Sequence, residues 1–256
     1  YFVGGFGSMG WVVPSDYTAA AVDPLADQAS GLIREMNEQQ TATLLLLARV
    51  YGKLEAQQVT MTALEQCGAD YQDHVVNLMR GGQHDPAYRA INPRGKIPAL
   101  VVDGAVLAEN GAILLWLDQQ FPQAGLLPAA DDWARAQAVS DLFWFSSGWH
   151  IAARCNMMPV RFTKGDPAPV RERGKELFAE LMAQFEARMA GQDWWLGDRW
   201  SILDVYCHWC YTTAEAGGFD LSTYPAATGH RARVSAWPAF AAASAREEAA
   251  IKSAGM

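Results

Sequence analysis

The chain has 256 residues, half of them hydrophobic, with a formal net charge of −8. That composition suits a globular protein of one or two domains and excludes a disordered one. No run of Lys or Arg favours a nucleic-acid partner, and four cysteines are too few for a disulfide scaffold, so a reducing, cytoplasmic setting is expected.

Residues 1–43 are weakly patterned, with Gly and Pro early and a helix expected over residues 24–36. No basic segment followed by an apolar core marks a leader, and Met9 or a later methionine is an alternative start. Residues 44–50 read as a buried strand; the apolar run there is too short to cross a membrane, and Arg49 interrupts it. Val59, Ala63 and Leu64 recur at helical spacing until Gly68 stops the helix. Residues 71–78 suggest a second strand, and a short helix is expected over residues 86–90.

Pro98 opens a strand, Ala99-Leu100-Val101-Val102, and Asp103-Gly104 is a two-residue hairpin turn into Ala105-Val106-Leu107. Ile113, Leu114, Trp116 and Leu117 predict a helix over residues 109–121. The order is β-α-β-α-β-β-α. Beyond it the pattern is helical: Asp131 or Asp132 caps a helix through Trp144, and Pro169 opens another reaching about Met189. Ser201 and Asp204 approximate a capping box, and a last helix follows Trp237-Pro238. An α/β domain joined to an all-helical one follows.

Three separated stretches carry a family resemblance: Asn92-Pro93-x-Gly95-Lys96-Ile97-Pro98-Ala99-Leu100, Glu109-Asn110-x-Ala112-Ile113, and Leu196-Gly197-Asp198-x-x-Ser201-Ile202-x-Asp204. Residues 44–250 thereby resemble the soluble glutathione transferase family. The resemblance implies a thioredoxin-like N-terminal domain (44–122), a linker (123–130) and an all-helical glutathione-transferase C-terminal domain (131–256), after an N-terminal extension (1–43) that is unusual for the family.

It also implies roles. Pro98 is similar to the family's cis-proline, which leaves the Ile97 backbone to pair with the cysteinyl backbone of glutathione. Glu109 would receive the ligand's ammonium. Asn110 and the helix-start amides would donate to its carboxylate, although the family usually has Ser or Thr at that position. Lys96 would meet the glycyl carboxylate, with Gln83 in a neighbouring loop and His84 an alternative there.

The thiol-activating position falls in Tyr51-Gly52-Lys53-Leu54-Glu55-Ala56-Gln57-Gln58, which has no Ser or Cys. Gln57 is the expected donor; a helix-start amide, Tyr51 and Lys53 are the alternatives. Trp144, Phe145, Trp149, His150, Met157 and Met158 are candidates for a hydrophobic substrate pocket, with core packing as the competing reading for each. Cys207 and Cys210 read as buried structural thiols, with redox exchange as the alternative, and with only His208 beside them no metal is expected.

The resemblance implies a glutathione-dependent transferase or lyase, in which the thiolate attacks a hydrophobic electrophile, aromatic or not, by conjugation, ether cleavage or dehalogenation. A disulfide reductase and a non-catalytic glutathione-binding scaffold are the alternatives. Glutathione as cosubstrate, a hydrophobic small molecule and a homodimer are the implied partners.

Overall fold

The computed structural model describes residues 44–47, 57–129 and 133–253. The expected helix over 24–36, the end of the first strand, Tyr51, Lys53, Asp131 and Asp132 lie outside the described residues. Strand β1 (Leu44–Leu47) runs parallel to β2 (Tyr71–His74) and antiparallel to β3 (Ala99–Val102), which pairs with β4 (Ala105–Ala108). The sheet order is β2-β1-β3-β4. Helix α1 (Gln57–Cys67) supplies the crossover that two parallel strands require. Helices α2 (Pro86–Ile91) and α3 (Asn110–Gln120) flank the β3–β4 hairpin in sequence. This is a thioredoxin-like domain.

Local chemistry explains several boundaries. Gly68 takes φ +63, and the amides of Gly68 and Ala69 close on Glu65 and Leu64 carbonyls, both at 3.0 Å, ending α1. Asp103 and Gly104 both have positive φ, as a two-residue hairpin turn demands. The second strand stops at His74 rather than reaching Leu78. Asn77 instead caps a turn over Leu78–Arg80, its Oδ1 accepting from the Arg80 amide at 3.1 Å. Val76, half-buried, packs beside Tyr88, Ala99 and Val101 without being part of the strand.

The second unit is helical: α4 (Trp133–Trp144), α5 (His150–Met157), α6 (Ala168–Met189), α7 (Ile202–Ala216), α8 (Pro225–Ala236) and α9 (Pro238–Ser253). The helix expected to finish at Trp144 continues through a π turn, Phe145–Trp149, directly into α5. Hydroxyls of Ser146 and Ser147 both donate to the Phe143 carbonyl, at 2.9 and 2.8 Å, alongside this wide turn.

The helical core is aromatic. Phe145 meets Trp195 at 4.8 Å and Trp149 at 5.4 Å between ring centroids, both edge-on. Asp204 organises its polar seam: one oxygen accepts from the Ser201 amide at 2.9 Å, the other from the Trp195 amide at 2.6 Å and His230 Nε2 at 3.0 Å. The start of α7, the loop before it and α8 are thus joined at one buried carboxylate.

Two glycines seat α5. A methyl group at Gly217, just after α7, would lie 2.4 Å from the Asn156 carbonyl carbon, and one at Gly174 of α6 would lie 2.7 Å from Cys155 Cβ. Cys207 and Cys210 are wholly buried in α7, and desolvation pushes both thiols well above their ordinary range, which fits structural thiols. Among the described residues no helix is long and apolar enough to cross a membrane, and no His/Cys/Asp/Glu cluster has a metal-holding arrangement.

Candidate functional site

The loop between α2 and β3 is braced from α2. Tyr88 Oη and Asn92 Nδ2 both donate to the Lys96 carbonyl, the latter at 2.7 Å. Arg89 donates to the Pro93 carbonyl at 2.8 Å. Gly95, at φ +58, leaves room for the Gln83 carbonyl and the Arg89 guanidinium, which a side chain there would strike. The Ile97–Pro98 bond is cis. Pro98 is buried, Ile97 half-buried, and the Arg94 and Lys96 side chains are exposed.

Fifteen positions after Arg94, Glu109 flanks the start of α3. Its φ is +76, and its side chain, 61% exposed, pairs with Arg94 Nη1 at 3.0 Å. Only Glu109 and Asp103 among the described non-glycine residues take positive φ. Asp103 belongs to a hairpin turn, where such a conformation is routine; Glu109 does not. Asn110, expected to donate to a ligand carboxylate, is the first helical residue, and Glu109 holds the cap position. The Asn110 Oδ1 accepts instead from Thr60 Oγ1 of α1 at 2.6 Å, so this buried amide locks α3 against α1.

Gln83 sits on a turn beside Gly95, and its Oε1 is buried with no hydrogen-bond partner among the described residues. His84 is exposed, with Nδ1 3.2 Å from Arg89. Gln57 begins α1 and is buried; its Nε2 donates to Glu247 Oε1 of α9 at 3.1 Å. An amide nitrogen has two N–H groups, so this bond does not exhaust it.

In the helical unit, His150 and Arg154 of α5 pack against Tyr206 and Trp209 of α7. The His150 and Trp209 rings lie 4.4 Å apart, and His150 Nδ1 is 3.4 Å from the Tyr206 hydroxyl. Burial, then the Arg154 and Lys96 cations, push the His150 imidazole down to about 3, so it is neutral at pH 7. Burial, then Cys210 and Glu109, push the Tyr206 hydroxyl up. Lys96 and Glu109 belong to the first unit, so charges of that unit act on these side chains of the helical one.

Of the pocket candidates, Trp144, His150, Met157 and Met158 are half-buried, whereas Phe145 and Trp149 are wholly buried behind them in the aromatic core. Sequence reasoning missed Arg94, Thr60, Arg154, Tyr206 and Trp209. The only local signal was spacing: Arg154 follows His150 by one helical turn, and Trp209 follows Tyr206 by nearly one.

A thioredoxin-like domain with a cis-proline before its third strand, followed by a helical bundle capped at Ser201 and Asp204, defines the class. A model of the glutathione S-transferase N-terminal domain matches residues 58–125. A maleylacetoacetate isomerase of Pseudomonas aeruginosa is 34% identical over 70% of this chain and 85% of its own. The disulfide-bond oxidoreductase YfcG of Escherichia coli is 31% identical over 69% of this chain and 84% of its own. Among solved structures, a glutathione transferase homologue from Sulfitobacter with bound glutathione is 27% identical, with a TM-score of 0.72 over 80% of this chain and 99% of that one. A sphingomonad glutathione S-transferase complexed with glutathione is 28% identical, with a TM-score of 0.68 over 80% of this chain and 98% of that one. The chain belongs to the glutathione transferase family.

Proposed function

We propose that this protein binds reduced glutathione beside Pro98 and the start of α3 and joins it, through its thiolate sulfur, to a hydrophobic electrophile. One observation carries the reading: Glu109 keeps an exposed carboxylate at the mouth of α3 in a backbone conformation that costs a non-glycine residue about 1–3 kcal/mol. A clamp for an ammonium group needs such an acid, and the first amides of α3 suit the carboxylate beside it. Glutathione carries both groups on its γ-glutamyl end. The glutathione complexes of the Sulfitobacter and sphingomonad relatives support the assignment.

In this reading Asn110 assists Glu109, the Ile97 backbone before Pro98 pairs with the cysteinyl unit, and Lys96 and Gln83 serve the glycyl end. The buried Gln83 Oε1 would accept from a peptide N–H of the ligand. Gln57 and the first amides of α1 are the proposed donors to the thiolate, with Tyr51 and Lys53 as alternatives. Each unit of thiol pKa depression requires about 1.4 kcal/mol of preferential thiolate stabilisation. Trp144, His150 and Met157 would form the wall for the electrophile, backed by Phe145 and Trp149. With an aryl halide, a carbon–sulfur bond forms and the halide leaves with its bonding pair. A homodimer and a cytoplasmic setting complete the proposal.

A second reading is glutathione-dependent disulfide reduction, favoured by the relationship to the named disulfide-bond oxidoreductase. Calorimetric titration with reduced glutathione, followed by assays with chlorodinitrobenzene and a dialkyl disulfide, decides between them. Binding with thioether product supports transfer. Binding with disulfide turnover alone supports reduction. Absence of binding rejects both.

A further inference from the structure

The pair between Arg94 and Glu109 joins the loop before β3 to the mouth of α3, the two segments that flank the β3–β4 hairpin. The loop is set by its own bonds, the Arg94 amide donating to Asn92 Oδ1 at 3.2 Å. From that backbone the guanidinium places Nη1 3.0 Å from Glu109 Oε1. The two side chains are 63% and 61% exposed. An ion pair so open to water adds little to stability. It does not repay a glutamate held at φ +76.

Both partners keep capacity beyond this bond. A guanidinium has five N–H donors and a carboxylate two oxygens, and the pair engages one nitrogen and one oxygen. What it presents outward is a negative and a positive group side by side. The complement is a zwitterion with its ammonium and carboxylate on one carbon. Glu109 Oε2 suits the ammonium, and the remaining Arg94 fork suits the carboxylate. A neutral amide at Asn110 brings no countercharge for that carboxylate, and Asn110 is buried with its Oδ1 bonded to Thr60. The full positive charge comes from the loop.

We infer that Arg94 receives the α-carboxylate of the ligand's γ-glutamyl unit while its bond to Glu109 persists, so that the site selects γ-glutamyl thiols with an intact α-amino-acid end. This inference rests on the glutathione reading above and assigns the group that recognises the second charge of the glutamyl end. Arg94 determines ligand specificity and takes no part in bond making at sulfur. Lys96, the other cation of the loop, keeps the glycyl end.

Calorimetric titration of the full chain with three thiols tests this. They are glutathione, 4-aminobutyryl-cysteinylglycine, which lacks only the α-carboxylate, and glutaryl-cysteinylglycine, which lacks only the ammonium. The unaltered protein should bind glutathione about tenfold or more tighter than the aminobutyryl thiol, as expected for one charge-assisted hydrogen-bond pair. Arg94→Met should erase that preference by weakening glutathione and the glutaryl thiol while leaving the aminobutyryl thiol nearly as it was. Arg94→Lys should retain part of the preference. Arg173→Met, from an exposed pair on α6, should retain all of it and controls for net charge. Replacing an exposed side chain should leave the melting temperature near the parent's.

Equal weakening of all three thiols by Arg94→Met overturns the inference, because Arg94 would then only shape the loop. Tighter glutathione binding in Arg94→Met overturns it too, because Arg94 would then compete with the ligand for Glu109. A preference that survives Arg94→Met, or that vanishes in Lys96→Met instead, assigns the carboxylate elsewhere. Glutathione binding lost in Glu109→Gln and kept in Arg94→Met removes this inference alone, whereas an unaltered protein that binds none of the three thiols removes the glutathione reading as well.

Discussion

Gln57 Nε2 donates to Glu247 Oε1 at 3.1 Å, joining the first turn of α1 to the last helix across 190 positions of the chain. Both side chains are buried. Gln57→Ala should cost about 1–3 kcal/mol of stability, because a buried acceptor loses a donor. Gln57→Glu should cost more at neutral pH and recover on acidification, since two facing buried carboxylates resist joint ionisation. Urea denaturation of both variants checks this; a Gln57→Ala midpoint equal to the parent's would show that the bond contributes nothing.

Glu109 should trade stability for binding. Glu109→Gly removes the side-chain penalty at φ +76 and should stabilise the fold by about 1 kcal/mol, less the entropy that glycine adds to the unfolded chain. The same change should weaken glutathione by an order of magnitude or more, through loss of a charged hydrogen bond. Thermal unfolding and calorimetry read the two effects. Unaltered affinity would remove Glu109 from the binding site.

His208 should make the fold acid-sensitive. Its ring is buried edge-on to Tyr211 and Phe240, at 5.2 and 5.0 Å, and its Nδ1 has no partner among the described residues. Burial, then His230 and Arg231, push the imidazole from 6.5 down to about 3. The folded pKa lies below the unfolded one, so unfolding takes up a proton between those values. Stability is therefore fully present above pH 6.5 and declines as pH falls toward about 3, by up to about 1.4 kcal/mol per pH unit for this group. His150 acts in the same direction. His208→Phe should flatten the decline by one proton's worth, measured as unfolding free energy across the acid range. An unchanged slope would assign the acid sensitivity elsewhere.

Gly217 should be intolerant of a methyl group, although its φ of −82 suits any residue. An added Cβ would meet the Asn156 backbone, which must shift or carry α5 with it. Gly217→Ala should destabilise by about 1–3 kcal/mol. Because α5 carries His150 and Arg154, activity should fall along with stability. A variant with the parent's melting temperature and turnover would mean that α5 moves aside at little cost.

Elements decided within a few residues were legible before the fold was known. The stop at Gly68, the Asp103-Gly104 hairpin and the Ser201–Asp204 cap each depend on neighbouring backbone groups, and each stands where the sequence placed it. The strand end at His74 and the π turn after Trp144 were not legible. An apolar Val75-Val76 pair reports burial without saying whether the chain is extended, and a wide turn leaves hydrophobic spacing almost unchanged.

The sequence by itself determined the order of elements, the family motif around Pro98 and Glu109, and the absence of a Ser or Cys in the segment read as the thiol-activating position, because all three are written in consecutive residues. Only the tertiary structure decided that Arg94 meets Glu109, that Thr60 holds Asn110, and that His150 meets Trp209. Those meetings depend on how closely helices approach. For α5 that approach is set by Gly174 and Gly217, whose role appears only once their neighbours are in place.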